Sequence, residues 1–504
     1  MYLIVRLVRV LSSPAVLITF VWCATFLGMV IGPIDFQGQP TSSALGLVAS
    51  GIFLFVLAER LGWRSFELWF ERRANVPVSS SVLNRVVVAT ALIGLIGIGL
   101  LAFDRQVLSG VGNGGYAELL RCAPSVADFV DIKRTPLLYL GYLAFSFSYA
   151  SLVLFFLKGE EIHGWAAWLA QLSIISPIGY ALLYSGRMPI LFIIILVLAA
   201  MMVRVGQGRR LLPSGHRLVV KLVLIVLVFA VYSSAIWSRR LNFCIQMSEL
   251  INELSLRQAA RNQKRAEPGL PQQPRDAITA NDLRKRIDEV IVSSPKIVSP
   301  SDSASQFLST TMHESWDVKP RPYVFSAIDF GFLSPNLAMS LLSSYYYITH
   351  GTRTIDTVWH ARSKFSPQWG LYEIGILSPI IRVLQPQRSA VITRMEDQLK
   401  SAQIYGFFPT FWVAAFIDFG FSGAIIYILL FGFLAGWCAC GAGRSLLVGP
   451  QLLLCFILAS IFLSPVQGPL GIGNSFLVLV SLVITGLAVD FSKSQSPRSG
   501  SQTP

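Results

Sequence analysis

From Met188 to Val203 the chain reads MPILFIIILVLAAMMV, sixteen successive residues without a charge, and runs of this kind recur along the whole sequence. A bilayer core takes about 20 apolar residues per helix. Runs that meet this demand centre on residues 14–32, 43–61, 86–103, 136–157, 164–183, 189–205 and 219–237, and then, after a long polar interval, on 419–439, 447–464 and 473–491. Two further apolar stretches, 323–349 and 371–386, contain Asp329, Pro335, Glu373 and Pro379. They read as re-entrant or surface helices, or as one more pair of crossings. Only 13% of the residues are charged, where a soluble domain carries about 25%. The expected fold is therefore an all-α integral membrane protein, a polytopic bundle of ten to twelve transmembrane helices.

Short loops orient such a bundle, because lysine and arginine favour the cytoplasm. Arg64, Arg72, Arg73 and Arg85 follow the second run, Arg204, Arg209, Arg210 and Arg217 follow the sixth, and Lys493 and Arg498 follow the tenth. All three groups share one side if the N-terminus is cytoplasmic. The organisation expected is a seven-span membrane bundle at 1–237, a large periplasmic loop at 238–418, a three-span bundle at 419–491 and a cytoplasmic tail at 492–504. The opening MYLIVRLVRVL is basic and apolar with no small-residue cleavage site in frame, and reads as a retained anchor or interfacial helix. Within the loop, 250–310 is rich in Gln, Arg, Pro, Ser and Lys and reads as an insertion, whose Arg284-Lys285-Arg286 run is a solvated helix face.

The formal charge of +14 raises nucleic acid as a partner. No zinc-finger spacing or basic–aromatic platform supports that, and cytoplasmic arginines facing anionic membrane lipids account for the excess. Six cysteines make no metal set: Cys438 and Cys440 form only a C-x-C at a helix end, and Cys23 and Cys455 lie in apolar runs. Cys122 and Cys244 both fall outside the membrane on this topology, which allows a disulfide between them. P-loop, zincin and nucleophile-elbow patterns are absent from the sequence, and no metal site is expected.

Three groups of residues face outward. Arg187 occupies the polar gap SGRMP between two apolar runs, Arg239 and Arg240 follow the seventh run, and the loop supplies Tyr345, Tyr346, Tyr347, His350, Arg353, His360, Arg362, Glu373 and Asp418. An arginine at a helix boundary often does no more than snorkel and anchor. Several at helix mouths on one side also suit a phosphate or diphosphate, which a guanidinium binds bidentately at every relevant pH. The tyrosines suit sugar rings or an interfacial belt. Each histidine is a structural imidazole or a general base. Asp418 is an N-cap or first-turn acid of the following helix, or a functional carboxylate.

Three segments carry a resemblance. YSGRMPILFIIIL, SSYYYITHG and YGFFPTFWVAAFIDFGFSGAIIYILLFGFLAGW, together with the single dominant late loop, resemble the bacterial oligosaccharide repeat-unit polymerases, the Wzy-type O-antigen and exopolysaccharide polymerases, which are related to O-antigen ligases. The resemblance implies a GT-C-like membrane glycosyltransferase in the bacterial inner membrane. Its substrate would be an undecaprenyl-diphosphate-linked oligosaccharide, and it would need neither metal nor nucleotide sugar. Arg187, Arg239 and Arg240 would hold the donor diphosphate, and His350 or His360 would be the base. Tyr346, Tyr347 and Arg353 would line the sugar site, and Asp418 would orient one of these groups or cap a helix. A chain-length regulator and a flippase are the partners it implies. The rival readings are an O-antigen ligase-like transferase, a transporter of lipid-linked glycans, and a structural assembly protein. Against the transporter, the confident runs are almost free of the ionisable residues that line a path.

Overall fold

The computed structural model describes residues 2–36, 40–70, 78–108, 135–184, 186, 188–213, 318–362, 366–374, 410–444, 447–471 and 474–494, with 130–131 and short pieces between 243 and 289. The run at 219–237, most of the 250–310 insertion, Cys122 and Cys244 lie outside the described residues.

Helices α1 (Tyr2–Leu11), α2 (Pro14–Ile31), α3 (Ser42–Phe70) and α4 (Ser80–Phe103) open the chain. Next come α5 (Pro136–Phe145) and α6 (Phe147–Lys158), joined at Ser146, then α7 (Gly164–Leu172), α8 (Ile175–Leu183) and α9 (Met188–Gly206). The later part holds α10 (Pro322–Asp329), α11 (Pro335–Thr349), α12 (Gly351–Ala361), α13 (Phe411–Arg444), α14 (Val448–Leu463) and α15 (Ser475–Ser494). Among the described residues, eight helical stretches are long and apolar enough to cross a membrane, and α14 is a shorter apolar helix. The chain is an all-α, multi-pass membrane protein. α10 and α11, eight and fifteen residues long, are not among those eight stretches.

Helix starts follow local chemistry. Ser79 accepts from the Ser81 N–H at the head of α4, and Thr135, followed by Pro136, accepts from Leu138 at the head of α5. Helices this apolar gain no hydrophobic drive by associating in lipid, so close backbone approach has to hold them together. Between α3 and α13, Gly62 lies against the Phe433 carbonyl and Gly436 against that of Glu59, where a Cβ would collide.

Successive crossings sort the links into two faces. One is basic: Arg204 is fully buried between Glu160, the Leu157 carbonyl at 3.0 Å and the Arg210 carbonyl at 2.9 Å. On the same face Arg209 pairs with Glu161 at 3.3 Å and Arg444 with Glu67 at 2.7 Å. Arg204 holds Glu160 ionised, lowering its pKa against the opposing effect of burial. The other face, the loop face, holds residues 31–36 and 40–42, the end of α4, Tyr184 and Gly186, 318–362, 366–374 and 464–471. There β1 (Ile34–Phe36) pairs antiparallel with β4 (Val318–Pro320), Ile34 opposite Pro320. A second two-residue pairing, β2 (Val130–Asp131) with β3 (Ile278–Thr279), is parallel. The backbone N–H of Thr41 donates to Asp356 at 2.9 Å, and Trp22 donates to Ser464 at 2.9 Å. The segment 318–361 is thereby seated on the ends of α2 and α3.

Candidate functional site

At the loop face α4 does not simply end. It widens into a π-helical turn, Asp104–Leu108, an irregularity that often marks functional positions. Asp104 is buried and accepts from the Thr135 hydroxyl. The next residue, Arg105, donates from Nε to the Tyr184 hydroxyl at 3.0 Å and lies 5.1 Å over the Tyr184 ring. Tyr142 donates to the same Tyr184 hydroxyl at 2.7 Å. Tyr180 packs on Tyr184 at 4.6 Å and stacks on Phe145 at 4.9 Å. Three helices, α4, α5 and α8, thus fix one guanidinium among phenols. Tyr184 is the C-cap of α8, at the start of the stretch of sequence that contains Arg187. Such a cluster can present a rigid cation and neutral hydroxyl donors to an anionic group.

A second feature is built on Asp418. α13 starts at Phe411 and breaks at Gly420, where φ is +66°. Asp418 lies just before the break. Its backbone carbonyl accepts from the N–H groups of Gln368 and Trp369, both at 2.7 Å. Its carboxylate accepts from Tyr372 N–H at 3.0 Å and Glu373 N–H at 2.7 Å. One residue thereby clamps the segment 366–374, in which Trp369 is held at φ +54° and Gly370 at φ +90°. A bulky residue in the left-handed region is strained, and such strain persists only where the surroundings over-determine it.

Glu373 is 1% exposed. Its Oε2 accepts from Leu470 N–H at 2.9 Å and from the Tyr427 hydroxyl at 3.4 Å. Its Oε1 lies against Gly468, where any side chain would collide, and has no hydrogen-bond partner among the described residues. Burial pushes the Glu373 carboxyl up to about 8, the Leu470 N–H opposing and the charge of Asp418 adding to the rise. Glu373 therefore holds a proton at neutral pH.

The residues singled out from sequence divide three ways. Arg187, Arg239 and Arg240 lie outside the described residues, although Tyr184, Gly186 and Met188 frame the Arg187 turn. Tyr347 lies in α11, its side chain outside the described set. Tyr346 and His350 pack together: their rings stack at 4.8 Å, Tyr346 also stacks on Phe36 at 6.2 Å, and His350 Nδ1 lies 2.9 Å from the Tyr346 carbonyl. Tyr346, expected along a sugar site, is only 5% exposed. Its ring faces are spent on packing. His350 is also buried, so a substrate hydroxyl cannot reach it without rearrangement. His360 and Arg353 are seven residues apart on α12, which puts them on one helical face, with His360 exposed. Asp418 does not cap the helix expected to start at 419. A helical segment from Phe411 bends back at Gly420 into the membrane run expected over 419–439, and at that bend the carboxylate holds the 366–374 segment instead.

Sequence reasoning passed over Arg105 and Tyr184. The signal was available: Arg105 directly follows an apolar run on its outward end, as Arg239 does. Cys438 and Cys440, expected at a helix end, are both buried inside α13. Comparison with protein-family models, with curated proteins and with solved structures finds no match to this chain.

Proposed function

We propose that this chain is an inner-membrane glycosyltransferase that polymerises undecaprenyl-diphosphate-linked oligosaccharide repeat units into O-antigen or exopolysaccharide. The reading places the loop face in the periplasm and both termini in the cytoplasm. Its starting point is the resemblance of the three segments quoted above. The observation that carries it further is the Arg105–Tyr184–Tyr142 cluster, which adjoins the turn bearing Arg187. In the proposed reaction an acceptor hydroxyl attacks the anomeric carbon of the donor glycan. The anomeric C–O bond to the diphosphate breaks, and the lipid diphosphate leaves with the electron pair.

Negative charge grows on that leaving group. The guanidinium of Arg105, with those of Arg187, Arg239 and Arg240, which lie outside the described residues, stabilises it in this reading, and loss of one such contact costs on the order of 10²–10³ in rate. His360 takes the hydroxyl proton, a contribution of roughly 10²–10⁴. It is the more accessible of the two candidate histidines, and Arg353 shares its helical face. Tyr347 and Arg353 line the sugar. Asp418 acts through the segment it clamps and touches no substrate.

The test is polymerisation by purified protein in nanodiscs, supplied only with lipid-diphosphate-linked repeat units. A ladder of longer lipid-linked glycans, abolished by Arg105→Ala and Arg187→Ala in proteins that still insert, is expected. Intact substrate with the wild-type chain, or full ladders from both variants, would remove the proposal.

A further inference from the structure

Among the described residues every positive φ falls on a glycine, at Gly164, Gly208, Gly331, Gly370 and Gly420, with one exception, Trp369 at +54°. A large side chain is strained in that region, and glycine or asparagine would relieve it. The α10–α11 turn shows the ordinary arrangement. Phe330 and Phe332 are exposed there, and Gly331 between them takes the positive φ. At Trp369 a glycine stands one residue on, yet the tryptophan itself occupies the strained position. Burial does not offset the strain: Trp369 is 75% exposed, between a buried Gln368 and a buried Gly370.

The strain is held from several sides. The Asp418 carbonyl takes the N–H groups of Gln368 and Trp369, and the Gln368 side chain donates to the Ser366 carbonyl at 2.6 Å. Beyond the indole, the Leu371 N–H returns to the Gln368 carbonyl at 3.3 Å and the Ile374 N–H to that of Gly370 at 2.8 Å. Glu373 anchors the far end on Leu470 and Tyr427. The backbone is thus fixed on both sides of an indole that the fold leaves uncovered. Strain over-determined in this way clusters at active sites and ligand clamps.

Trp369 shares its corner of the loop face with the proposed base. Pro367 Cγ lies 3.4 Å from where a Cβ on Gly420 would stand, so the segment rests on the bend of α13. The end of α12 packs on the same bend, with the Trp359 ring 6.4 Å from Phe416 and 6.1 Å from Phe421. His360 and Arg362, next along the chain, are both exposed. An exposed indole at a corner with an imidazole and a guanidinium offers what a sugar ring needs. Its flat face takes the C–H patch of the ring, its N–H donates, and the polar groups meet the hydroxyls. A tryptophan of an interfacial belt serves in many orientations, and that role calls for no strained, fixed backbone.

We infer that Trp369 is a sugar-stacking platform, held out by the Asp418 clamp to take one ring of an oligosaccharide at the corner where His360 acts. The ligand's identity as a glycan rests on the function proposed above. The clamped segment thereby gains a purpose: it fixes a binding face that Tyr346, spent on packing, does not supply.

The test uses full-length protein in nanodiscs, labelled with fluorotryptophan at all eleven tryptophans. Trp369→Phe identifies the fluorine NMR signal of residue 369. The probe is the repeat-unit oligosaccharide released from its lipid diphosphate by mild acid. It should shift that signal, and sorbitol, which has hydroxyls but no ring face, should not. A soluble paramagnetic chelate should broaden the signal more than a lipid-borne nitroxide does. Binding of the radiolabelled oligosaccharide is then compared across variants. Trp369→Asn, which removes the ring and relieves the strain, should weaken binding roughly tenfold without lowering the thermal midpoint. Trp369→Phe, which keeps a ring, should stay within about threefold of wild type.

An unmoved 369 signal, broadening chiefly by the lipid-borne probe, full binding by Trp369→Asn, or a lowered midpoint in that variant would each overturn the platform. Polymerisation is scored separately, and Trp369→Asn should raise KM with little change in kcat. Glycan binding at Trp369 in a protein that forms no polymer keeps the platform and removes the enzyme reading. Polymerisation with a KM that Trp369→Asn leaves unchanged keeps the enzyme and removes the platform.

Discussion

Replacing Asp418 by Asn changes one atom and should release the segment that Asp418 holds. The carboxylate accepts two backbone N–H groups at 3.0 and 2.7 Å. Hydrogen bonds to a charged group contribute about 1.5–3 kcal/mol each. An amide of the same shape keeps one acceptor oxygen, made weaker by loss of charge, and turns an NH2 group toward the second N–H. Its expected cost is about 2–4 kcal/mol, which corresponds to an increase of roughly 30- to 1,000-fold in local opening. The two bonds to the Asp418 main-chain carbonyl survive the substitution, so the effect should centre on Tyr372 and Glu373 rather than on Gln368 and Trp369. Hydrogen exchange followed by mass spectrometry reads this directly, with α14 as the internal reference for global stability. Exchange at 372–373 within about threefold of wild type would refute the clamp. So would acceleration that is equal in α14, because the substitution would then act on the whole bundle.

Four further outcomes follow from the same geometry. Because the neutral form of Glu373 is the buried one, its contribution to stability is fully present below its ordinary pKa of 4.5 and is lost at about 1.4 kcal/mol per pH unit as pH rises toward 8. Glu373→Gln should flatten the fall of the thermal midpoint between pH 5 and pH 8, and an unchanged slope would contradict a protonated Glu373. Gly436→Val should lower the midpoint, by about 1–3 kcal/mol of stability, because its side chain runs into the Glu59 carbonyl; an unshifted midpoint would show that α3 and α13 do not approach so closely. Tyr184→Phe, which removes the hydroxyl that Arg105 and Tyr142 share, should reduce polymerisation about tenfold while the protein elutes normally on gel filtration. Phe332→Cys should react with an impermeant thiol reagent applied to the periplasmic face, and Arg209→Cys only after the membrane is opened; the reverse pattern would invert the orientation.

The helices were legible because long charge-free runs have few alternatives. Runs such as 14–32 and 189–205 match α2 and α9 almost residue for residue. What the runs conceal is their internal breaks. Nothing in LAFSFSYASL announces that the helix divides at Ser146. The D-F-G of α13 gives a clearer hint, since only its glycine sits easily at φ +66°. The β1–β4 pairing was not legible: each strand has three residues, and 281 residues separate Phe36 from Val318. Asp418 was visible as a cap, a first-turn acid or a functional carboxylate, but its partners are backbone groups 45 and 46 residues upstream, which no local pattern predicts. The tyrosine triplet was legible as dense aromatic surface, yet density alone cannot separate a sugar platform from the stack that Tyr346 makes with Phe36 and His350.

The central claim is group transfer with expulsion of a lipid diphosphate, and the most direct measurement is its stoichiometry. Purified protein in nanodiscs, given radiolabelled lipid-diphosphate-linked repeat units, should release one undecaprenyl diphosphate for every glycosidic bond formed, with both events suppressed together by Arg105→Ala. Release without new bonds would make the chain a hydrolase. New bonds without release, or neither event from a well-folded protein, would contradict the account.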